Sequence, residues 1–236
     1  MEKQSDRILV ALDTIDVGCA ADLAVGLTGL VGGVKLGHEF FYANGPDGVR
    51  RVVAGTALPL FLDLKFNDIP NTVAGAVSAV FSLRPYMLNV HASGGRVMMR
   101  AAASAVAKAP EPRPLMLAVT VLTSLGEEDL AEMGVTDGIE QQVVRLAGLA
   151  QASGMDGVVC SAREITALRA ACGPKFKLVV PGIRPAWAAA GDQKRVVTPA
   201  EAISLGADYL VIGRPITAAD DPAAAARRIG EELASV

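Results

Sequence analysis

Short, unbroken apolar runs recur along this chain, each closing on a polar or glycine position and most leading into a stretch with helical spacing. The first run, residues 8–12, stops at Asp13. Continuous runs of this length suit strands buried on both faces, as in a parallel sheet covered by helices. A helix is predicted over 19–30, then a second strand in Gly33-Val34-Lys35-Leu36-Gly37, with a lysine near its end, and a helix around 48–54. The third strand is the apolar run 58–62, interrupted only by Pro59, which leads into a charged segment, followed by a helix over 72–81 and a strand over 86–91. Strands over 115–120, 157–160, 177–180 and 209–212 complete the set, with helices over 140–152, 162–172, 200–205 and 222–233. Residues 126–142 carry no motif. Eight strands alternating with helices and no linker between them point to α/β architecture, most simply a single (β/α)8 barrel over residues 1–236. A doubly wound open sheet is the alternative. The glycine-rich phosphate loop that it often carries after the first strand is missing, and Asp13-Thr14-Ile15-Asp16 stands there instead.

Composition narrows the function more than the fold. A length of 236 residues suits one barrel or two small domains, and 51% hydrophobic residues supply a large core. Aromatic residues are only 4%, so no stacking platform for nucleic acid stands out, and a net charge of -3 offers no basic footprint for a polymer or an anionic membrane. Cys19, Cys160 and Cys172 lack metal-ligand spacing and are expected to be reduced, mostly buried thiols. No apolar run approaches a membrane span. Residues 1–7 are polar and the apolar segment after them is too short for a signal peptide, so a cytoplasmic location is expected.

The segment Asp63-Leu64-Lys65-Phe66-Asn67-Asp68-Ile69-Pro70-Asn71-Thr72 holds the densest chemistry. Side chains two apart on a strand share a face, so Asp63 and Lys65 are expected to point into one cavity while Leu62 and Leu64 point away. Pro70 then breaks the strand. In a barrel Lys35 lies on the neighbouring strand, and Lys35, Asp63, Lys65 and Asp68 would alternate in sign, each charge partly compensated by the next. A solvated turn or a purely architectural ion network are the plainer readings. If the group is chemical, Lys65 is its acid, and its ammonium also stabilises a developing carbanion. His91 and His38 are read as structural, and without a carboxylate cluster at ligand spacing they give no metal signal.

D-x-K-x-x-D followed by I-P-N-T resembles the signature of the orotidine 5'-monophosphate decarboxylase family. The first part alone is shared with a wider suprafamily that includes metal-dependent enzymes acting on keto-sugar phosphates, and the I-P-N-T tail favours the nucleotide enzyme. Val121-Leu122-Thr123-Ser124 is similar to the family segment that contacts the pyrimidine. Pro181-Gly182-Ile183-Arg184-Pro185 with Gly191-Asp192-Gln193 resembles its closing loop, and Ile212-Gly213-Arg214-Pro215 ends the last strand. The resemblance implies decarboxylation of orotidine 5'-monophosphate to UMP without metal or organic cofactor. It makes Lys65 the proton donor and sets Asp63 beside the substrate carboxylate. Asp68 is supplied by the other subunit of a homodimer, and Lys35 and Asp13 bind the ribose. Ile69, Thr72 and Thr123 join the substrate-binding set, with Arg184, Gln193, Gly213 and Arg214 around the phosphate. The competing readings are the keto-sugar-phosphate enzyme and a non-catalytic nucleotide-binding barrel.

Overall fold

The computed structural model describes residues 3–188 and 197–235. Its strands are β1 (Ile8–Ala11), β2 (Gly33–Leu36), β3 (Leu60–Phe66), β4 (Met87–His91), β5 (Leu115–Val119), β6 (Gly157–Val159), β7 (Lys177–Val180) and β8 (Tyr209–Ile212). All pair in parallel, in sequence order, and β1 closes on β8, which makes the expected (β/α)8 barrel. Around it run α1 (Val17–Gly26), α2 (His38–Ala54), α3 (Pro70–Ala79), α4 (Gly95–Val106), α5 (Glu127–Glu132), α6 (Ile139–Gln151), α7 (Ile165–Cys172), α8 (Pro199–Leu205), α9 (Arg214–Thr217) and α10 (Pro222–Ala234).

Strand alternation divides the apolar residues into two cores. Ile8, Val10, Val34, Leu62, Leu88 and Val90 face outward and pack with the helices. Leu9, Phe61, Met87, Leu117, Val179 and Val211 fill the barrel's interior. Gly33 belongs to the inward row, and a Cβ there would stand 2.6 Å from the carbonyl oxygen of Pro59 and 3.0 Å from Leu9. The floor is therefore closed by side chains, and the polar inward positions Lys35, Asp63 and Asn89 fall one layer higher, toward the strands' carboxyl ends.

Several helices differ from their predicted extents for identifiable reasons. Helix α1 begins at Val17 because the Asp16 carboxylate accepts a hydrogen bond from the Cys19 N–H at 2.9 Å, an N-cap placed earlier than the apolar spacing suggested. Helix α2 begins ten positions before the predicted 48, as two helical pieces joined at Gly45, whose φ of 61° suits glycine, with Pro46 opening the second piece. Helices α4, α5 and α9 had no predicted counterpart. Of the cysteines only Cys160 is buried; Cys172 is half-buried and Cys19 is exposed, which corrects the expectation of mostly buried thiols. Among the described residues no helix is long and apolar enough to cross a membrane.

Candidate active site

A cavity of about 310 Å³ opens at the carboxyl ends of the strands and is lined by Asp13, Lys35, Asp63, Lys65, Thr123, Arg184, Gly213 and Arg214, among others. These come from six stretches of sequence, and the barrel brings them together. The charges on the β1–β3 side form a chain: Lys35 Nζ lies 3.3 Å from Asp13 Oδ1 and 3.3 Å from Asp63 Oδ2, and Lys65 Nζ lies 2.7 Å from Asp63 Oδ1. Asp63 is thus held between two ammonium groups.

Lys65 reaches this place by an irregular backbone. Between the β3–β4 pairs Leu62↔Leu88 and Phe66↔Val90, four steps along β3 match two along β4, and Lys65 takes a φ of 45°. Such a bulge re-aims a side chain at the cost of strain in a non-glycine residue. Asp63 and Lys65 do share the cavity, as simple alternation predicted, with a distortion that alternation did not contain.

Burial alone would push the Asp63 carboxyl up; the Lys35 and Lys65 charges, with hydrogen bonds from Lys65 and Asn89, outweigh it and hold the group below its ordinary 3.8. The anion is the settled state of a nearly buried carboxyl. Lys65 Nζ, 2.7 Å from Asp63 Oδ1, places an N–H donor inside the cavity, where it can pass a proton to a strong base formed there. His91, at the end of β4, is pushed below 6.5 chiefly by burial, with Lys65 and His38 adding to the effect. His38 donates from Nε2 to the Leu64 carbonyl at 2.7 Å, a backbone-bracing role consistent with the structural reading.

Across the cavity the wall changes character. Val119, Val121, Val159 and Cys160, from the ends of β5 and β6, give an apolar face. Next to it, the segments after β7 and β8 contribute Arg184, only 7% exposed, and Arg214, which opens α9 directly after Gly213. Around the mouth a charged cluster gives way through an apolar strip to an arginine pair, and the circle closes where β8 meets β1. Of that strip only Val121 was anticipated, in the segment similar to the family's pyrimidine contact; Val119 and Val159 could have been picked as inward-facing strand ends.

Three predicted residues lie apart from this cavity. Asp68, Ile69 and Thr72 are exposed, and Asp68 Oδ1 accepts from the N–H of Ile69 at 2.6 Å. Pro70 starts α3 and turns the chain outward, so the expected four-charge array is corrected within one chain: Asp13 takes the outer place that Asp68 was to hold. Gln193 lies outside the described residues. A buried polar residue behind the charged chain was also missed. Asn89, fully buried on β4, donates from Nδ2 to Asp63 Oδ1 at 2.7 Å and accepts the Lys65 N–H on Oδ1 at 2.7 Å. A lone asparagine inside the apolar run Met87-Leu88-Asn89-Val90 was the available signal.

A family model described as "Orotidine 5'-phosphate decarboxylase / HUMPS family" matches residues 6–229. The chain belongs to this family. Among its relatives, the orotidine 5'-phosphate decarboxylase of Rhodospirillum rubrum is 58% identical, covering 96% of this chain and 93% of its own. That of Moorella thermoacetica is 54% identical, over 98% of this chain and 93% of its own. The crystal structure of orotidine 5'-phosphate decarboxylase from Lactobacillus acidophilus superposes with a TM-score of 0.85 at 36% identity, covering 98% of this chain and 99% of that one. In this orotidine 5'-phosphate decarboxylase / HUMPS barrel the matched region takes in every strand and the whole described cavity.

Proposed function

We propose that this chain decarboxylates orotidine 5'-monophosphate to UMP without a cofactor, with Lys65 as the proton donor. The observation that carries the reading is the Asp13–Lys35–Asp63–Lys65 chain of alternating charge, set in a family whose named relatives are orotidine 5'-phosphate decarboxylases. The phosphate is taken by Arg214 and Arg184, and Gln193 from the sequence reading joins them. The ribose meets Asp13 and Lys35, and the pyrimidine lies along the apolar strip with Thr123 at its edge. As the ring–carboxylate bond breaks, carbon dioxide leaves, the electron pair stays on the ring carbon, and an N–H of Lys65 supplies the proton. The neutral lysine then recovers a proton from solvent. Between Lys35 and Lys65, a carbanion forms in a field already arranged for negative charge.

The segments that follow β2, β3 and β4 each expose a large apolar side chain, Tyr42 at 78%, Ile69 at 67% and Val97 at 69%, and the exposed Asp68 stands next to Ile69 in the chain. A second copy seated there would cover them and carry its own Asp68, Ile69 and Thr72 to the cavity, so the active form in this reading is a homodimer.

The test is turnover of orotidine 5'-monophosphate followed by absorbance, with and without chelator, for wild type and Lys65→Ala. Chelator should leave the wild-type rate intact, and Lys65→Ala should lower kcat by about 10²–10⁴-fold or more while UMP still binds. A variant with the wild-type rate would remove Lys65 from the chemistry, and chelator-sensitive turnover would point to the metal-dependent branch. Arg214→Ala is expected to raise KM chiefly; an unchanged KM would move the phosphate elsewhere.

A further inference from the structure

We infer that Asn89 is a positioning residue whose amide fixes the Lys65 ammonium and the Asp63 carboxylate in one geometry for proton delivery. The inference rests on the reading of Lys65 as proton donor. Asn89 is fully buried, and its neighbours in β4, Leu88 and Val90, point outward into the apolar layer under the helices. An amide in such a place is costly unless both of its ends are bonded. Both are, and to the same unit: Oδ1 takes the backbone N–H of Lys65, and Nδ2 donates to Asp63 Oδ1, the oxygen that also receives Lys65 Nζ at 2.7 Å. A ring closes through the Lys65 backbone, its side chain, the carboxylate and the amide. A carboxylate cannot donate and an N–H cannot accept, so only one amide orientation satisfies both partners.

The second half of the argument is the backbone. A lysine at a φ of 45° is held against its preference, and the bulge that contains it departs from the regular β3–β4 register. Asn89 takes the one N–H donor of that residue. Without the amide, Lys65 loses the bond that fixes its backbone and Asp63 loses a donor on the oxygen facing the ammonium. Each loss frees the pair to rotate, and misplacement of a reacting group by about 1 Å costs on the order of 10²-fold in rate.

Two substitutions separate the contacts. Asn89→Ala removes both, and kcat should fall on the order of 10²-fold with UMP affinity unchanged. Asn89→Asp is isosteric and keeps an acceptor for the Lys65 N–H, but replaces the donor to Asp63 by a second carboxyl oxygen. The charged and titratable groups around that pair are Lys35 from β2, Lys65 from the same strand and His91 from β4. When the new carboxyl is protonated it donates to Asp63 as the amide did; when it ionises, two carboxylates oppose each other. The ratio of Asn89→Asp to wild-type kcat should therefore fall by about tenfold per pH unit above the pKa of the shared proton. An architectural residue has no reason to yield that slope. Wild-type kcat in both variants, or a flat ratio in Asn89→Asp, overturns the inference. A loss of UMP affinity equal to the loss of kcat does so too. Asn89→Asp carries the test alone if Asn89→Ala does not fold. Failure of the wild-type chain to turn over orotidine 5'-monophosphate would remove the underlying reading, and is seen before any variant is made.

Discussion

Glu164 is a carboxylic acid with almost no access to water, 7% exposed at the start of α7, and no cation is among the groups that shift it. Burial raises it from 4.5 to about 7, the Ser161 N–H that it accepts at 2.7 Å pulls the other way, and the charge of Glu140 adds to the rise. Asp63 is buried to a similar degree and shifts the opposite way, because two ammonium groups face it. The sign follows from proton binding: between pH 4.5 and about 7 the folded chain holds a proton at Glu164 that the unfolded chain has released. The stabilisation is full below 4.5 and lost as pH rises toward 7, amounting to about 3 kcal/mol for a shift of this size. Glu164→Gln keeps an acceptor for the Ser161 N–H and has nothing to ionise. Urea unfolding at a series of pH values should show the variant gaining on wild type by about 3 kcal/mol across that interval. Parallel curves would mean that Glu164 titrates alike in the folded and unfolded chains.

At the scale of elements, two aspartates join strands in the same way. Asp156, just before β6, donates its N–H to the Met116 carbonyl at 2.9 Å and accepts the Met116 N–H on its side chain at 2.8 Å. Asp208, just before β8, does the same to Leu178 at 2.9 and 2.8 Å. Each is backed by an arginine, Arg113 and Arg169 respectively, and Asp208 also by Lys177. The Arg169–Asp208 side chains are 19% and 16% exposed, against 40% for Arg113, so solvent screens the second pair less. Asp208→Ala should cost about 2–3 kcal/mol in urea unfolding, and Asp156→Ala clearly less. Equal losses would show that the arginines contribute nothing beyond the backbone clamp.

The strands were legible because burial on both faces requires continuous apolar runs, and their order required only that each be followed by a covering segment. Lys35, Asp63, Lys65, Arg184 and Arg214 were legible as charges at strand ends. The bulge at Lys65 was not, since nothing in Leu64-Lys65-Phe66 marks a positive φ in a lysine. Asn89 was hidden for a related reason: its importance lies in two partners on another strand, and a one-dimensional pattern shows only a polar residue out of place. Helix α4 was obscured by the Gly94-Gly95 pair at its start.

For the whole molecule, the question is which cavity Asp68 serves. Within its own chain Asp68 is exposed, bonded to the N–H of Ile69, and absent from the lining that contains Asp63 and Lys65. If a second copy supplies it, Lys65 and Asp68 of any one site come from different chains. Lys65→Ala and Asp68→Ala homodimers should then both be impaired. In a heterodimer of the two, one cavity carries both substitutions and the other carries neither. Mixing the variants under conditions that exchange subunits should restore roughly a quarter of the wild-type activity, because half the dimers are hybrid and half their sites intact. An Asp68 that worked within its own chain would leave every site in the mixture damaged, and no activity would return. The exposed Tyr42, Ile69 and Val97 make the same claim by another route: a charged substitution at Ile69 should shift the chain toward monomer in sedimentation and lower activity in proportion. Monomers with full activity would place the complete site within one barrel.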